Sequence, residues 1–312
     1  MISSVFGKTK PINYIILMGL LFFFYWITHF FFFNASYEPE QILGQMLVLS
    51  LLLFSVFVVD FIVKRNQIMG SNSYAMLYYT MLFMIFPQVL MDNNAIFCGF
   101  FLLLATRRAI SLKTAKDVKL KIYDASLWIA LSSLFYQWAL LYMVVLYVAI
   151  YFYDPKNIRN WLLPLAGTVT VALISWSCLI LLGREAFFGE HFRFVWNFDL
   201  QFYASWHNST KLIAYIVLVV FTGFLAFLKL GQLGMGRIIT LRLIVISVAV
   251  GLVITLLETG PGRYPVLITF FPAATLLAKY VEIIRRHKIK EVTLVLSVLI
   301  PFAVLLLETV LK

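Results

Sequence analysis

Long apolar stretches alternate with short polar connections along almost the whole chain. Most of these stretches approach the roughly 20 residues that a helix needs to cross a bilayer. The pattern predicts membrane helices at approximately the following residues: 11–33, 42–63, 74–91, 95–106, 161–183, 212–228, 243–257, 266–280 and 292–311.

The stretch from Ile122 to Tyr153 contains 32 mainly apolar residues and needs a different interpretation. As one helix it would be about 48 Å long, against a hydrocarbon core of about 30 Å. Because basic residues flank both ends, the number of crossings must be even. We predict a hairpin of two short helices that turns near Tyr136-Gln137-Trp138, and that either crosses fully or is re-entrant. The chain is therefore predicted to be an all-α polytopic transmembrane helix bundle of about 11 membrane segments, with residues 1–312 forming a single integral membrane domain.

Basic residues fall on one side of this arrangement. Of 25 lysines and arginines, 20 lie on the side of the N-terminus and 5 on the other side, so the N-terminus is predicted to be cytoplasmic. Six of the 20 lie in one basic arm, 107–121. Leu112, Ala115 and Val118 of the arm and the following Ile122 have helical spacing, which predicts a helix lying on anionic headgroups at the membrane surface.

The composition excludes several classes of protein. Hydrophobic residues make up 62% of the chain and charged residues 12%, more apolar surface than a soluble domain of this length can bury. The net charge of +11 is that of many nucleic-acid-binding proteins, but the cations occur in short clusters between apolar stretches. We therefore expect membrane lipids as partners and no nucleic acid.

Acidic residues on the first two predicted outer turns are the first candidates for chemistry. Glu38 and Glu40 flank Pro39, and Asp92 lies in the tight second turn. Such carboxylates can act as general bases or hold a divalent cation. The alternative is that short outer loops are simply polar.

The segment from Glu258 to Pro265 is the second candidate. There Arg263 is suited to clamp a phosphate group bidentately, and Tyr264 to orient a ligand. The alternative is a Gly/Pro turn with an interfacial ion pair.

The long outer connection is the third candidate, because His191 and Arg193 resemble an acceptor or headgroup site. An interfacial helix with aromatic anchors explains the same composition. His191 and His207 are sixteen residues apart, without ligand spacing, so no metal site is predicted.

Three segments carry a resemblance to known proteins. The opening Met1–Asn13, the Asp92-Asn-Asn turn and the run Leu-Leu-Leu-Ala-Thr-Arg-Arg at 102–108 resemble a bacterial family of multi-pass inner-membrane proteins that has no assigned activity. More distantly, the layout resembles GT-C type glycosyltransferases, which use polyprenyl-phosphate-linked donors at the outer membrane face. That resemblance implies catalytic roles for Glu38, Glu40 and Asp92, and a lipid-phosphate contact for Arg263. The chain differs in having Glu-Pro-Glu where an Asp is commoner.

Two hypotheses follow for the function. The first is a GT-C-like transferase of the bacterial inner membrane that acts on polyprenyl-phosphate-linked glycans, with catalytic Glu38, Glu40 and Asp92 and substrate-binding Arg263, Tyr264, Arg193 and His191. The sequence identifies no cofactor, and the only candidate is a divalent cation held by the outer carboxylates. The second is a non-catalytic subunit of a secretion or envelope-assembly complex, with other inner-membrane proteins as partners. A transporter is disfavoured, because no intramembrane charge pair or inverted repeat is evident.

Overall fold

The computed structural model describes residues 2–194, 206–228 and 235–310. Over these residues the protein is all-α, with no β-strand. Its thirteen helices are α1 Ile2–Phe6, α2 Pro11–Ile27, α3 Pro39–Arg65, α4 Tyr74–Ile85, α5 Asn93–Ser111, α6 Val118–Ser133, α7 Met143–Tyr153, α8 Ile158–Leu181, α9 Phe187–His191, α10 Trp206–Leu228, α11 Met235–Glu258, α12 Phe270–Ile283 and α13 His287–Val310. A π-helical turn at Thr28–Phe32 extends α2, and 3-10 turns at Pro87–Met91, Leu112–Thr114, Gln137–Tyr142 and Pro265–Thr269 adjoin other helices.

Eight helices in the described part of the chain are long and apolar enough to cross a membrane, which confirms a multi-pass membrane protein. Tyr74–Ile85 and Gln137–Tyr153 are shorter apolar helices. At the centre of the bundle, every residue of α4 except Ile85 is buried. In the lipid-exposed helix α13, by contrast, only 11% of the residues in its most apolar stretch are buried inside the bundle. The bundle therefore has a buried central layer and a peripheral layer whose apolar side chains suit contact with lipid.

Connections rich in lysine and arginine meet at one end of the bundle. The Lys113 ammonium donates a hydrogen bond to the backbone oxygen of Asn66, so the connection after α5 contacts the one after α3. Lys279 Nζ, near the end of α12, donates to the backbone oxygen of Ile68 at 3.2 Å. We call this the basic end and the opposite one the outer end, after the sides that the charge pattern predicts.

The predicted hairpin is present and turns at the predicted residues. Helix α6 ends at Ser133, and the chain reverses through Tyr136 into the 3-10 turn that leads to α7. The Tyr136 hydroxyl donates a hydrogen bond to Asp92, which precedes α5 at the outer end. Since α6 starts next to the basic end and its tip reaches Asp92, the hairpin crosses the full depth of the bundle.

The prediction of one surface helix over the basic arm was wrong. Helix α5 continues to Ser111, five residues beyond the predicted end of its span, and the next α-helix begins only at Val118. Ala115 and Asp117 both have positive φ angles, 52° and 50°, which interrupt any continuous helix. The arm is therefore a helix end, a tight turn and a helix start.

Candidate functional site

Asp92 lies in the outer connection between α4 and α5 and is 4% exposed. As the N-cap of α5 it accepts a hydrogen bond from Ala95 N at 3.0 Å through Oδ1. Its Oδ2 accepts from the Tyr264 N–H at 2.6 Å and from the Tyr136 hydroxyl. One carboxylate therefore joins three outer connections that are far apart in sequence.

The Gly/Pro turn after α11 has the compact form that its sequence predicts. Gly260 and Arg263 form an isolated antiparallel bridge, and Gly262 has φ 71°, a conformation that favours glycine. The turn brings the Tyr264 N–H to Asp92. Burial, and then the nearby Asp92 carboxylate, raise the pKa of the Tyr264 phenol.

Glu258, the last residue of α11, faces the hairpin tip. Its Oε1 accepts a hydrogen bond from Trp138 N at 2.9 Å, and its Oε2 lies 3.4 Å from an Arg263 guanidinium nitrogen. The Glu258 side chain is 2% exposed, whereas the Arg263 side chain is 52% exposed. The ion pair of the simpler interpretation is thus present, but it is long, and its arginine reaches open space.

A polar cavity of about 150 Å³ opens beside this pair, and we call it the outer polar cavity. Its lining contains two arginines, a histidine, two carboxylates, an amide and one aromatic ring: Phe135, Gln137, Glu190, His191, Arg193, Glu258 and Arg263. Such a mixture can neutralise an anionic group and also accept hydrogen bonds from hydroxyl groups.

His191, at the end of the short helix α9, is held against the hairpin. Its Nε2 lies 2.8 Å from the backbone oxygen of Ser133, and its ring stacks on Phe187 at a centroid distance of 4.9 Å. Burial lowers the pKa of His191, and the positive charge of Arg263 lowers it further, against the opposing effect of the Ser133 carbonyl. The neutral imidazole is thereby favoured at neutral pH.

The sequence candidates divide into two groups in the structure. Arg263, Arg193 and His191 line the outer polar cavity, and Asp92 and Tyr264 form the hydrogen-bonded support beside it. Glu38 and Glu40 are exposed at the start of α3 and do not line the cavity.

The first outer turn has a structural network of its own. Glu38 is the N-cap of α3, where its backbone N–H donates to the Gln41 side chain at 3.2 Å. The nearby Tyr37 hydroxyl bonds to His29 Nδ1, and His29 Nε2 contacts the backbone oxygen of Leu90 at 3.1 Å. His29 is therefore buried.

Four residues that line the cavity were not among the predicted site residues, and two of them, Glu190 and Glu258, are acids. The sequence contained one indication of a site at Glu258: this acid ends a long apolar stretch immediately before a Gly/Pro turn. No group of three or more His, Cys, Asp or Glu side chains able to hold a metal ion occurs among the described residues. The divalent cation considered from the sequence therefore has no ligand set in that part of the chain.

A second, larger cavity of about 380 Å³ has mainly apolar walls. Helices α4 and α12 contribute Tyr78 and Leu277, while α10 and α13 form two further walls with residues from Thr210 to Thr222 and from Thr293 to Val304. Lys211 lies at its outer end. We call it the apolar groove.

Comparisons with known proteins add no assignment to this geometry. No protein-family model, no curated protein sequence and no solved structure matches the chain at a significant level.

Proposed function

We propose that this protein is a GT-C-like transferase of the bacterial inner membrane that acts on polyprenyl-phosphate-linked glycans at the outer membrane face. The observation that carries the proposal is the outer polar cavity, where Arg193 and Arg263 stand beside the carboxylates Glu190 and Glu258. A sugar linked to a lipid phosphate presents the two groups that such a cavity suits, an anion and several hydroxyls. His191, kept neutral, adds a polar side chain without a competing charge.

In the proposed transfer, the hydroxyl oxygen of the acceptor bonds to the anomeric carbon of the donor sugar. Glu258 accepts the proton that this hydroxyl loses. The bond from that carbon to the phosphate oxygen breaks, and its electron pair leaves with the lipid phosphate. Arg263 and Arg193 neutralise the negative charge that develops on the leaving group. This assignment moves the base from Glu38, Glu40 and Asp92 to Glu258.

The apolar groove supports the same class of substrate. Its walls on α10 and α13 extend over thirteen and twelve residues, about 18 Å and 16 Å at the helical rise, which is a little more than half of a 30 Å hydrocarbon core. A lipid tail of that length matches one leaflet of the bilayer. Lys211 lies at the outer end of the groove, where its charge can attract an anionic head group. A long-chain lipid phosphate combines both features.

A binding experiment tests the substrate class first. The purified full chain in detergent is titrated with a polyprenyl phosphate, and in parallel with the uncharged polyprenol of equal chain length. We expect the phosphate to bind more tightly, and Arg263→Gln to weaken its binding about 10- to 100-fold, since a charge-assisted hydrogen bond contributes roughly 1.5–3 kcal/mol. The matched control is Arg184→Gln, which removes an exposed outer arginine that does not line the cavity. Equal binding of the phosphate and the polyprenol would refute the proposed substrate class.

A second experiment tests transfer in cells that lack the native protein. Glu258→Gln should abolish restoration of the envelope glycan profile, because the amide retains an acceptor for Trp138 N–H but cannot take up the proton. Glu38→Gln and Glu40→Gln should restore the profile, because both side chains are exposed outside the cavity. If all three variants restore it and the chain copurifies with other membrane proteins, the hypothesis of a non-catalytic subunit replaces this one.

A further inference from the structure

An open groove at the basic end lies on the side of the bundle formed by α2 and α3. It has a volume of about 360 Å³, and we call it the basic-end groove. Tyr14 of α2 and the last turns of α3 supply its lining, which consists of Tyr14, Phe57, Asp60, Phe61, Lys64 and Arg65. Arg107 of α5 reaches the same place, because its guanidinium carbon lies 4.8 Å from the centre of the Phe61 ring.

The acidic residue of the groove is already neutralised from within. Asp60 is 2% exposed, accepts a hydrogen bond from the Tyr14 hydroxyl and forms an ion pair with Lys64. Lys64 Nζ also donates to the Tyr14 oxygen at 3.1 Å. This is an intramembrane charge pair of the kind that the sequence did not reveal, and in it the carboxylate of Asp60 balances the charge of Lys64.

Two arginines at the rim lack such a partner. Arg108 pairs with Asp124 at 2.8 Å, but no carboxylate among the described residues forms an ion pair with Arg65 or Arg107. The positive charge of Arg65 acts on that of Arg107, so an anion between the two would relieve their repulsion. The rim therefore has an unbalanced positive charge.

The aromatic residues of the groove extend from that rim towards the middle of the membrane. Phe61 is 37% exposed and Phe57 48% exposed, and the distance along α3 from Phe57 to Arg65 is about 12 Å at the helical rise. An apolar strip that ends in two arginines at a helix terminus has the polarity of a membrane lipid with an anionic head.

We propose that the basic-end groove binds one anionic glycerophospholipid, with its phosphate between Arg65 and Arg107 and an acyl chain along Phe57 and Phe61. Guanidinium groups suit a phosphate because their planar donors engage two oxygens at once. The site lies at the opposite end of the bundle from the outer polar cavity and is independent of the proposed transferase activity.

Native mass spectrometry of the full chain tests this site. The protein is delipidated in mild detergent, and phosphatidylglycerol or phosphatidylcholine of the same acyl composition is added. We expect one phosphatidylglycerol molecule to remain bound at activation energies that remove phosphatidylcholine. In Arg65→Gln/Arg107→Gln its apparent affinity should fall at least tenfold, to that of phosphatidylcholine, while Arg65→Lys/Arg107→Lys should retain part of the preference.

The matched control removes the same number of charges from the same end. Arg285→Gln/Arg286→Gln changes two exposed arginines outside the groove and should alter the affinity less than twofold. Thermal unfolding midpoints of both double variants establish that each is folded. Equal losses in the two double variants, or no preference of the native chain for phosphatidylglycerol, would overturn the proposal.

Discussion

Asp92 offers the sharpest test of how the outer end is held together. Asp92→Ala removes the N-cap of α5 and the acceptor for two further donors, Tyr264 N–H and the Tyr136 hydroxyl. Loss of an N-cap costs about 1 kcal/mol. A buried donor left without an acceptor costs roughly 1–3 kcal/mol, and two of them are left here. We expect a total loss of roughly 3–7 kcal/mol in the free energy of unfolding, a large effect for a single substitution.

Two milder variants should fall between the native chain and Asp92→Ala. Asp92→Asn keeps an oxygen for the helix cap but turns an NH₂ group towards the Tyr264 N–H, which then has no acceptor, at a cost of roughly 1–3 kcal/mol. Tyr136→Phe removes one of three donors and leaves the other two in place, at about 1 kcal/mol.

Thermal unfolding in detergent, followed through a thiol-reactive or fluorescent probe, gives the order of the four proteins. The midpoints should fall from the native chain through Tyr136→Phe and Asp92→Asn to Asp92→Ala. A double variant, Asp92→Ala/Tyr136→Phe, should be roughly 1–3 kcal/mol more stable than Asp92→Ala, since it no longer buries a hydroxyl without an acceptor. An Asp92→Ala protein as stable as the native chain would refute the network.

The same variants separate a supporting role for Asp92 from the catalytic role that the resemblance implies. If Asp92→Asn lowers stability and transfer activity in parallel, and both recover at lower temperature, Asp92 acts through the fold. A variant with native stability and no activity would instead assign Asp92 to the reaction itself.

Three further predictions concern separate places in the molecule. Gly167→Ala should cost roughly 1–3 kcal/mol, because a Cβ there would lie 1.9 Å from Ser126 Oγ and 2.9 Å from Ser126 Cβ; the midpoint should recover in Gly167→Ala/Ser126→Gly. The lowered pKa of His191 means that the unfolded chain binds more protons below pH 6.5, so stability is full above that pH and falls as pH decreases. His191→Gln should therefore reduce the difference in unfolding midpoint between pH 7.5 and 5.5. Gly99→Ala should destabilise the α5 contact with the turn before α12, since its Cβ would lie 1.9 Å from Leu267 Cδ2 and that leucine must move. Gly19→Ala should change stability less, because a Cβ there has no atom within 4 Å.

The membrane architecture could be predicted closely from the sequence because it depends on two local properties. Apolar length gave the helices, including the turn of the hairpin at Tyr136, and the uneven distribution of lysine and arginine gave two distinct ends. The basic arm was predicted wrongly because the turn depends on the positive φ angles of Ala115 and Asp117, residues whose types do not require such angles. Whether the hairpin crossed fully depended on a contact between Tyr136 and Asp92, which no local pattern contains.

The candidate site was predicted only in part, because membrane helices are apolar all round and their sequences do not say which face meets which neighbour. Tyr264 and Asp92 are 172 positions apart, and only packing brings them together. All outer acids resembled one another in the sequence, since short outer loops are polar in any case. The structure separates exposed acids such as Glu38 from acids held by several donors.

Among the buried acids, the hydrogen bonds already formed indicate which carboxylate retains capacity for a substrate. Asp92 accepts three hydrogen bonds, and two of them, from Ala95 N and Tyr264 N, are short or of ordinary length. A carboxylate offers about four acceptor positions, so little capacity remains. Glu258 accepts one hydrogen bond of ordinary length, from Trp138 N, and its other oxygen has only the 3.4 Å contact with Arg263. That contact is longer than a normal charge-assisted hydrogen bond, and a ligand phosphate can take over the arginine without displacing any other bond of Glu258. Of the two buried carboxylates at the outer end, Glu258 is held by fewer donors, and this is the reason for assigning it the role of base in the proposed transfer.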